Sequence, residues 1–152
     1  MSSGLALGVR LDQQNGADVQ PTPTAAVSIL RYQDLRAAIS FLERAFGLEL
    51  IVAVEDSDVI VHAQLRAGLS RVFLSPDQPG DVYGMRTPLA LAGTNQCVYL
   101  VIGSDVDAHA ARAEAVGAVI VAAPHDTDYG GREYSCRDFE GHIWSVGTYM
   151  GE

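Results

Sequence analysis

The sequence predicts an α+β fold in which two βαβββ modules form curved mixed sheets around a cleft, with one helix packed on the outside of each sheet. Two observations predict it. A strand pattern, a capped amphipathic helix, a glycine stop and three further strand patterns occur in this order twice along the chain. The two predicted helices run from Asp34 to Gly47 and from Asp105 to Gly117, and they are nearly equal in length. The sheet faces that the helices leave uncovered can line a shared cleft, a common place for a small-molecule site.

The first module begins with a short apolar strand pattern over residues 27–32. Asp34 can cap the helix that follows, and Gly47 suits the left-handed conformation that ends a helix. Between them, apolar residues recur at helical spacing and form one stripe: Leu35, Ala38, Ile39, Leu42, Ala45 and Phe46. Three strand patterns come after the helix: Leu48–Val54, Val59–Leu65 and Val72–Ser75.

The second module repeats this plan from Cys97–Ile102, its first strand pattern. Either Ser104 or Asp105 can cap the next helix, which ends at Gly117. Its apolar stripe is narrower and consists of Val106, Ala110, Ala113 and Val116. The remaining strand patterns are Ala118–Ala122, Arg132–Arg137 and His142–Tyr149.

The chain is predicted to hold one domain, over residues 25–149, behind a flexible N-terminal tail over residues 1–24. The tail is rich in Gly, Ser, Gln, Asn and Pro and lacks sustained periodicity. Within the domain, module 1 covers about residues 25–76, a loop-rich linker covers 77–95, and module 2 covers 96–149.

Composition argues against several classes of function. The 152 residues are 48% hydrophobic, as in ordinary globular domains, and no apolar run has the roughly 20 residues that cross a bilayer. The net charge of −9 leaves no basic patch for nucleic acid, and it favours either simple solubility or a cationic ligand. Cys97 and Cys136 are far apart and form no CxxC motif, so neither a disulfide framework nor a zinc knuckle is predicted. With no secretory signal pattern, a cytoplasmic protein without a membrane partner is expected.

The run Tyr129–Tyr149 carries a resemblance to a known family. In it, Asp138-Phe-Glu-Gly141 fills the turn between the last two predicted strands. This resembles the closing hairpin of the vicinal oxygen chelate superfamily, the glyoxalase and bleomycin-resistance-like proteins, in which the turn is Asp-Pro-x-Gly. Phe139 stands where that turn has proline. Two further stretches, Val98–Gly117 and Leu30–Gly47, are also similar to the family. The resemblance implies the duplicated fold and a symmetric homodimer whose clefts include both subunits.

Metal-dependent members of that family carry His, Gln or Glu on inward strand faces. The resemblance places those positions at Val27, Phe73, Cys97 and Ser145 of this chain. A transition-metal ion needs about three or four N, O or S protein ligands, and one thiol and one hydroxyl do not supply them. No metal and no other cofactor is therefore expected.

The remaining polar and aromatic residues on the predicted cleft strands are the candidates for a site. His62 and Glu133 are the candidate catalytic acid/base groups, although His62 could equally be a satisfied sheet histidine and Glu133 a partner of a neighbouring arginine. Glu133 could instead hold a cationic ligand. Trp144 is expected in the core. The candidate ligand-binding residues are Phe73, Tyr99, Ser135, Ser145, Cys97 and Gln64, with core packing as the alternative for Phe73.

These features favour a metal-free small-molecule binding protein that sequesters an antibiotic or another cationic or planar metabolite. The alternative is a lyase, isomerase or dioxygenase-like enzyme with a rearranged active site, which would use His62, Glu133 and Tyr99. A third hypothesis is a subunit that keeps the fold without ligand chemistry. The expected partners are a small-molecule ligand and a second copy of the chain, with no nucleic acid.

Overall fold

A computed structural model describes residues 24–103 and 105–152. Of the predicted tail, only Thr24 belongs to the described residues. Ser104, one of the two proposed helix caps, also lies outside them. The elements in chain order are β1 (Ser28–Tyr32), α1 (Leu35–Phe46), β2 (Glu49–Asp56), β3 (Val59–Ala67), β4 (Ser70–Pro76), α2 (Pro88–Leu91), β5 (Cys97–Val101), α3 (Val106–Ala115), β6 (Val119–Asp126), β7 (Arg132–Arg137) and β8 (Ile143–Gly147).

The strands form two four-stranded sheets with the same topology, β1-β4-β3-β2 and β5-β8-β7-β6. In each sheet the first strand of the module pairs in parallel with the last, and the other pairings are antiparallel. The predicted α+β class, with two βαβββ modules and mixed sheets, is therefore confirmed.

The ends of α1 and the start of α3 have the capping interactions that the sequence predicts. The Asp34 carboxylate accepts a hydrogen bond from the Ala37 amide at 2.9 Å, and Gly47 adopts a left-handed φ of 71°. Every residue of the predicted α1 stripe is buried. Asp105 caps α3 in the same way, through the Ala108 amide at 3.1 Å. The linker holds one element that the sequence did not predict, the short helix α2 behind its Thr87 cap.

A single hydrophobic core joins α1 and α3 to both sheets. Phe46 of α1 packs on Trp144 of β8 with ring centroids 4.9 Å apart and stacks on the His109 imidazole of α3 at 6.0 Å. Arg112 of α3 donates a hydrogen bond to the Ala45 carbonyl at 3.1 Å. Trp144 is fully buried, as expected, so the two modules share one hydrophobic core.

The Asp138–Gly141 turn connects the modules through hydrogen bonds. Asp138 Oδ2 accepts from the Tyr32 hydroxyl at 2.6 Å and from the Trp144 indole at 3.1 Å. The Glu140 carboxylate accepts from the backbone amides of Gln33 and Asp34, immediately before α1. This turn therefore fixes the start of the first helix against the end of the second module.

No helix in the described part of the chain is long and apolar enough to cross a membrane.

Candidate functional site

His62, Gln64 and Phe73 share the uncovered face of the first sheet. Gln64 lies opposite Phe73 in the β3–β4 pairing, and its Nε2 atom is 3.2 Å from His62 Nε2. The His62 and Phe73 rings meet edge to face, with centroids 5.4 Å apart. All three side chains are half-buried, so Phe73 belongs to this face and not to the core.

A β-bulge decides which residues accompany His62. Period-two alternation predicts that Ile60 shares its face, but the β2–β3 register shifts between the pairs Val54–His62 and Glu55–Ile60. Ile60 is consequently buried in the core. The alternation between His62 and Gln64 beyond the bulge is intact.

A row of small polar side chains crosses the uncovered face of the second sheet. The Ser145 hydroxyl of β8 lies 2.7 Å from the Ser135 hydroxyl of β7. It also accepts a weak hydrogen bond from the Cys97 thiol of β5 at 3.4 Å. Cys97, Ser135 and Ser145 are thus adjacent on three strands, and their role in a ligand site stays a prediction.

Glu133 lies near the end of the same face and has a phenol as its main partner. The Tyr129 hydroxyl donates a 2.7 Å hydrogen bond to Oε2, and His125 Nε2 is 3.8 Å from Oε1. The Glu133 side chain is only 18% exposed. Its neighbour Arg132 makes its ion pairs with Asp107 and Asp126, so the proposed Glu133–Arg132 pair is not observed.

Tyr99 lies across the second sheet because Gly147 has no side chain. A Cβ atom at position 147 would lie 2.5 Å from the Tyr99 hydroxyl and 2.8 Å from Glu133 Cβ. Burial, together with the nearby Glu133 charge, raises the pKa of Tyr99. The hydrogen bond to Glu133 likewise raises the pKa of Tyr129. Tyrosine hydroxyls beside this carboxylate therefore stay protonated and act as donors.

The predicted site residues consequently form two groups, one on each sheet. Glu133, Tyr99 and the polar row occupy the second sheet, whereas His62 and its two neighbours occupy the first. None of the hydrogen bonds or ring contacts found within residues 24–103 and 105–152 joins the two groups.

A groove of about 970 Å³ lies beside the second group, between β5 and the turn that joins β3 to β4. Cys97, Tyr99 and Val101 line one side of it, and residues 67–72 line the other. Most of its remaining lining is apolar, including Trp144 and Met150. A groove of this size and character accommodates a small organic molecule.

The residues at the family's metal positions do not fit a metal ion. Val27 and Phe73 have no donor atom, and Cys97 and Ser145 supply one thiol and one hydroxyl. In the described part of the chain, no group of three or more His, Cys, Asp or Glu side chains could hold a metal. That the protein functions without a metal nevertheless stays a prediction.

Sequence reasoning missed Tyr129, Tyr149 and Gly147. Tyr129 precedes Glu133 by four residues, and the Gly130–Gly131 turn between them brings its hydroxyl to the carboxylate. The Tyr149 ring meets the Tyr129 ring edge to face, with centroids 5.0 Å apart. The glycine pair next to Tyr129 was the available signal, because left-handed glycines mark a tight turn.

The duplicated βαβββ fold, with a half-buried polar and aromatic face on each sheet, defines a class of two-module α+β proteins. The sequence profile of the Glyoxalase/Bleomycin resistance protein/Dioxygenase superfamily matches residues 23–146. The chain belongs to this superfamily, and the resemblance seen in its closing hairpin is confirmed.

Relatives at moderate identity support the same assignment. An uncharacterized protein of Mycobacterium tuberculosis is 35% identical over 153 aligned positions, covering 99% of this chain and 89% of its own length. Among solved structures, TioX from Micromonospora sp. ML1 is 32% identical with a TM-score of 0.64, covering 84% of this chain and 100% of its own. A glyoxalase/bleomycin resistance protein/dioxygenase family enzyme from Burkholderia phytofirmans PsJN shares the fold at 19% identity, with a TM-score of 0.62 over 80% of this chain and 94% of its own.

Proposed function

We propose that the protein is a metal-free small-molecule binder that sequesters a planar or cationic compound such as an antibiotic or a metabolite. The observation that carries the proposal is the uncovered face of the second sheet. There Tyr99 and Cys97 line the 970 Å³ groove. The Ser145 and Ser135 hydroxyls continue from Cys97 across the sheet without forming a metal site. Apolar walls with a few placed polar groups are typical of ligand sites.

The binding unit is proposed to be a homodimer in the cytoplasm. The His62 and Glu133 groups lie on different sheets and share no contact, so a second copy can bring one group opposite the other. Strand β2 supports this, because its apolar residues Leu50, Ile51, Val52 and Val54 are all exposed. Apolar edge strands are normally covered by a partner.

A ligand screen by thermal shift and calorimetry tests the binding function. The panel contains cationic glycopeptides and planar polycyclic compounds, and at least one micromolar binder is expected. Ser145→Phe, which fills the middle of the polar row, should abolish its binding, whereas Ser40→Phe on the exposed side of α1 should not. A panel without any binder would overturn the proposal, and so would one equivalent of tightly bound transition metal in protein purified without chelator.

A catalytic function is the second candidate, and the hydrogen bond between Tyr129 and Glu133 favours it. A half-buried carboxylate with a phenol donor can relay a proton to a bound substrate. Turnover of a panel compound that Glu133→Gln abolishes, with the fold retained, would establish an enzyme. If the wild-type protein binds the panel compounds and leaves them chemically unchanged, the protein is a binder only.

A further inference from the structure

Glu133 carries a charge that the described residues do not neutralise. Its side chain is 18% exposed, yet its nearest basic group is the His125 imidazole at 3.8 Å, beyond hydrogen-bond distance. The chain has ten arginines and no lysine. The arginine next in sequence to Glu133, Arg132, forms its ion pairs with Asp107 and Asp126. A half-buried carboxylate without a cationic partner is costly, and a ligand cation would offset the cost.

The two carboxylate oxygens of Glu133 differ in what they still can bind. Oε2 accepts the Tyr129 hydroxyl at 2.7 Å, whereas Oε1 has only the distant His125 nitrogen. An N–H group of a bound molecule can therefore reach Oε1 without breaking an existing hydrogen bond. A charge-assisted hydrogen bond of this type is among the stronger ones that proteins form.

Aromatic rings surround the same position. Tyr129 and Tyr149 are in edge-to-face contact at 5.0 Å, and Tyr99 reaches Glu133 over Gly147. Tyrosine rings attract a cation that lies against their faces, particularly where water is partly excluded. A carboxylate next to several tyrosines is thus complementary to an organic ammonium group, which is less strongly hydrated than a metal ion and can contact carbon.

We infer that Glu133 with Tyr99, Tyr129 and Tyr149 forms a subsite for an organic ammonium cation. This inference rests on the proposed binding function and names the chemistry of one end of its ligand. The ammonium group lies at Oε1 of Glu133, and the rest of the molecule extends past Tyr99 into the groove beside β5.

Benzylamine and benzyl alcohol provide a matched pair of probes for the full-length protein. They share the benzyl group, but only benzylamine carries an ammonium group at neutral pH. We expect NMR titration to show benzylamine binding about tenfold more tightly, with the shifts concentrated on the three tyrosine rings. Equal affinities in the wild-type protein would overturn the inference without any variant being needed.

Two charge-matched variants separate the subsite from the overall acidic field. Glu133→Gln should lower benzylamine affinity about tenfold and leave benzyl alcohol unaffected, whereas Glu114→Gln, exposed on α3, should change neither. Tyr129→Phe keeps the ring and should retain binding, whereas Tyr129→Ala should weaken it. If Glu133→Gln and Glu114→Gln have the same effect, the inference is wrong.

The outcomes also distinguish this subsite from the proposed function. If neutral planar compounds bind in the screen while benzylamine shows no preference over benzyl alcohol, the protein is a binder without a cation subsite. If neither the panel nor the probes bind, both proposals fail. Selective binding of benzylamine that depends on Glu133 supports the subsite whether or not the panel contains the natural ligand.

Discussion

At the scale of single residues, Asp138 makes the largest number of distinct buried polar contacts in its turn. Oδ2 accepts from Tyr32 and Trp144, and Oδ1 accepts from the backbone amides of Glu140 and His142 at 3.0 Å each. Burial, followed by the nearby Asp138 charge, raises the pKa of Tyr32 well above its ordinary value. The phenol therefore stays protonated at neutral pH and donates its hydrogen bond to Asp138.

Replacing Asp138 with alanine should destabilise the fold strongly. The change leaves buried donors without acceptors, at a cost of about 3 kcal/mol or more in the free energy of unfolding. Urea unfolding followed by Trp144 fluorescence measures it. The matched control, Asp128→Ala in an exposed loop, should stay within about 0.5 kcal/mol of the wild type. Equal stability of both variants would show that the network contributes little.

His109 should make the free energy of unfolding depend on pH in the acidic range. Burial, and secondly the charge of Arg112, lowers the pKa of His109 below its ordinary 6.5. The unfolded chain then binds more protons than the folded one below pH 6.5, so stability is complete above that pH and falls as pH decreases towards the folded pKa. Unfolding free energies measured across this range for wild type and His109→Gln should show a shallower decline in the variant. Parallel curves would exclude His109 as the cause.

Residue-level chemistry was predictable where the partner is close in sequence. Asp34 and Asp105 cap helices through amides three residues ahead, and Gly47 ends α1, all of which local rules anticipate. The Tyr129–Glu133 contact was not predicted, because it depends on how the glycine turn between the two residues is folded. The contacts of Asp138 with Tyr32 were also inaccessible, since they join positions 106 residues apart.

At the scale of elements, β8 shows how a missing side chain shapes a site. Gly147 has an ordinary φ, so it is required for space and not for backbone conformation. Its Cα hydrogen faces the Tyr99 hydroxyl and Glu133, which pairs with it across β7 and β8.

Gly147→Ala should therefore affect both stability and the site. The added methyl group would meet the Tyr99 hydroxyl at 2.5 Å, and over-packing of this kind costs about 1–3 kcal/mol. Displacement of Tyr99 should also weaken benzylamine binding in the NMR titration. Gly93→Ala, where a Cβ atom has open space away from the groove, is the control. Unchanged binding in Gly147→Ala would mean that Tyr99 does not contribute to the subsite.

Strand β3 illustrates what a period-two pattern cannot anticipate. The alternation of Ile60, His62 and Gln64 looks regular in the sequence. The bulge next to His62 changes the side-chain phase, so that Ile60 is buried in the core. An extra residue in one strand changes the side-chain phase without any change in composition. The existence of the strand was therefore predictable, whereas the face of each residue was predictable only on one side of the bulge.

At the scale of the whole molecule, the fold was predictable because the module is repeated. Each copy provides the same strand order and the same helix position, so errors in single boundaries do not change the topology. The arrangement of the site was not predictable to the same degree. Which sheet faces oppose each other depends on contacts between the modules, and the positions of His62 and Glu133 in the sequence carry no information about these contacts.

The proposed homodimer makes a prediction about the mass of the protein and its dependence on strand β2. Sedimentation equilibrium at micromolar concentration should give twice the 16.2 kDa of one chain. Ile51→Asp adds a charge to an exposed apolar residue of β2 and should shift the mass towards the monomer. Ala111→Asp, exposed on α3, should leave the dimer intact. A wild-type protein that is monomeric at this concentration would contradict the proposed assembly.

The proposed function requires the protein to bind a small organic molecule without a metal. Calorimetric titration of the tightest compound from the screen, carried out with and without EDTA, tests it most directly. Because the residues at the family's metal positions supply too few donors, we predict saturable micromolar binding with the same affinity in both titrations. Binding that disappears on chelation, or that returns only when a divalent metal is added, would contradict the account.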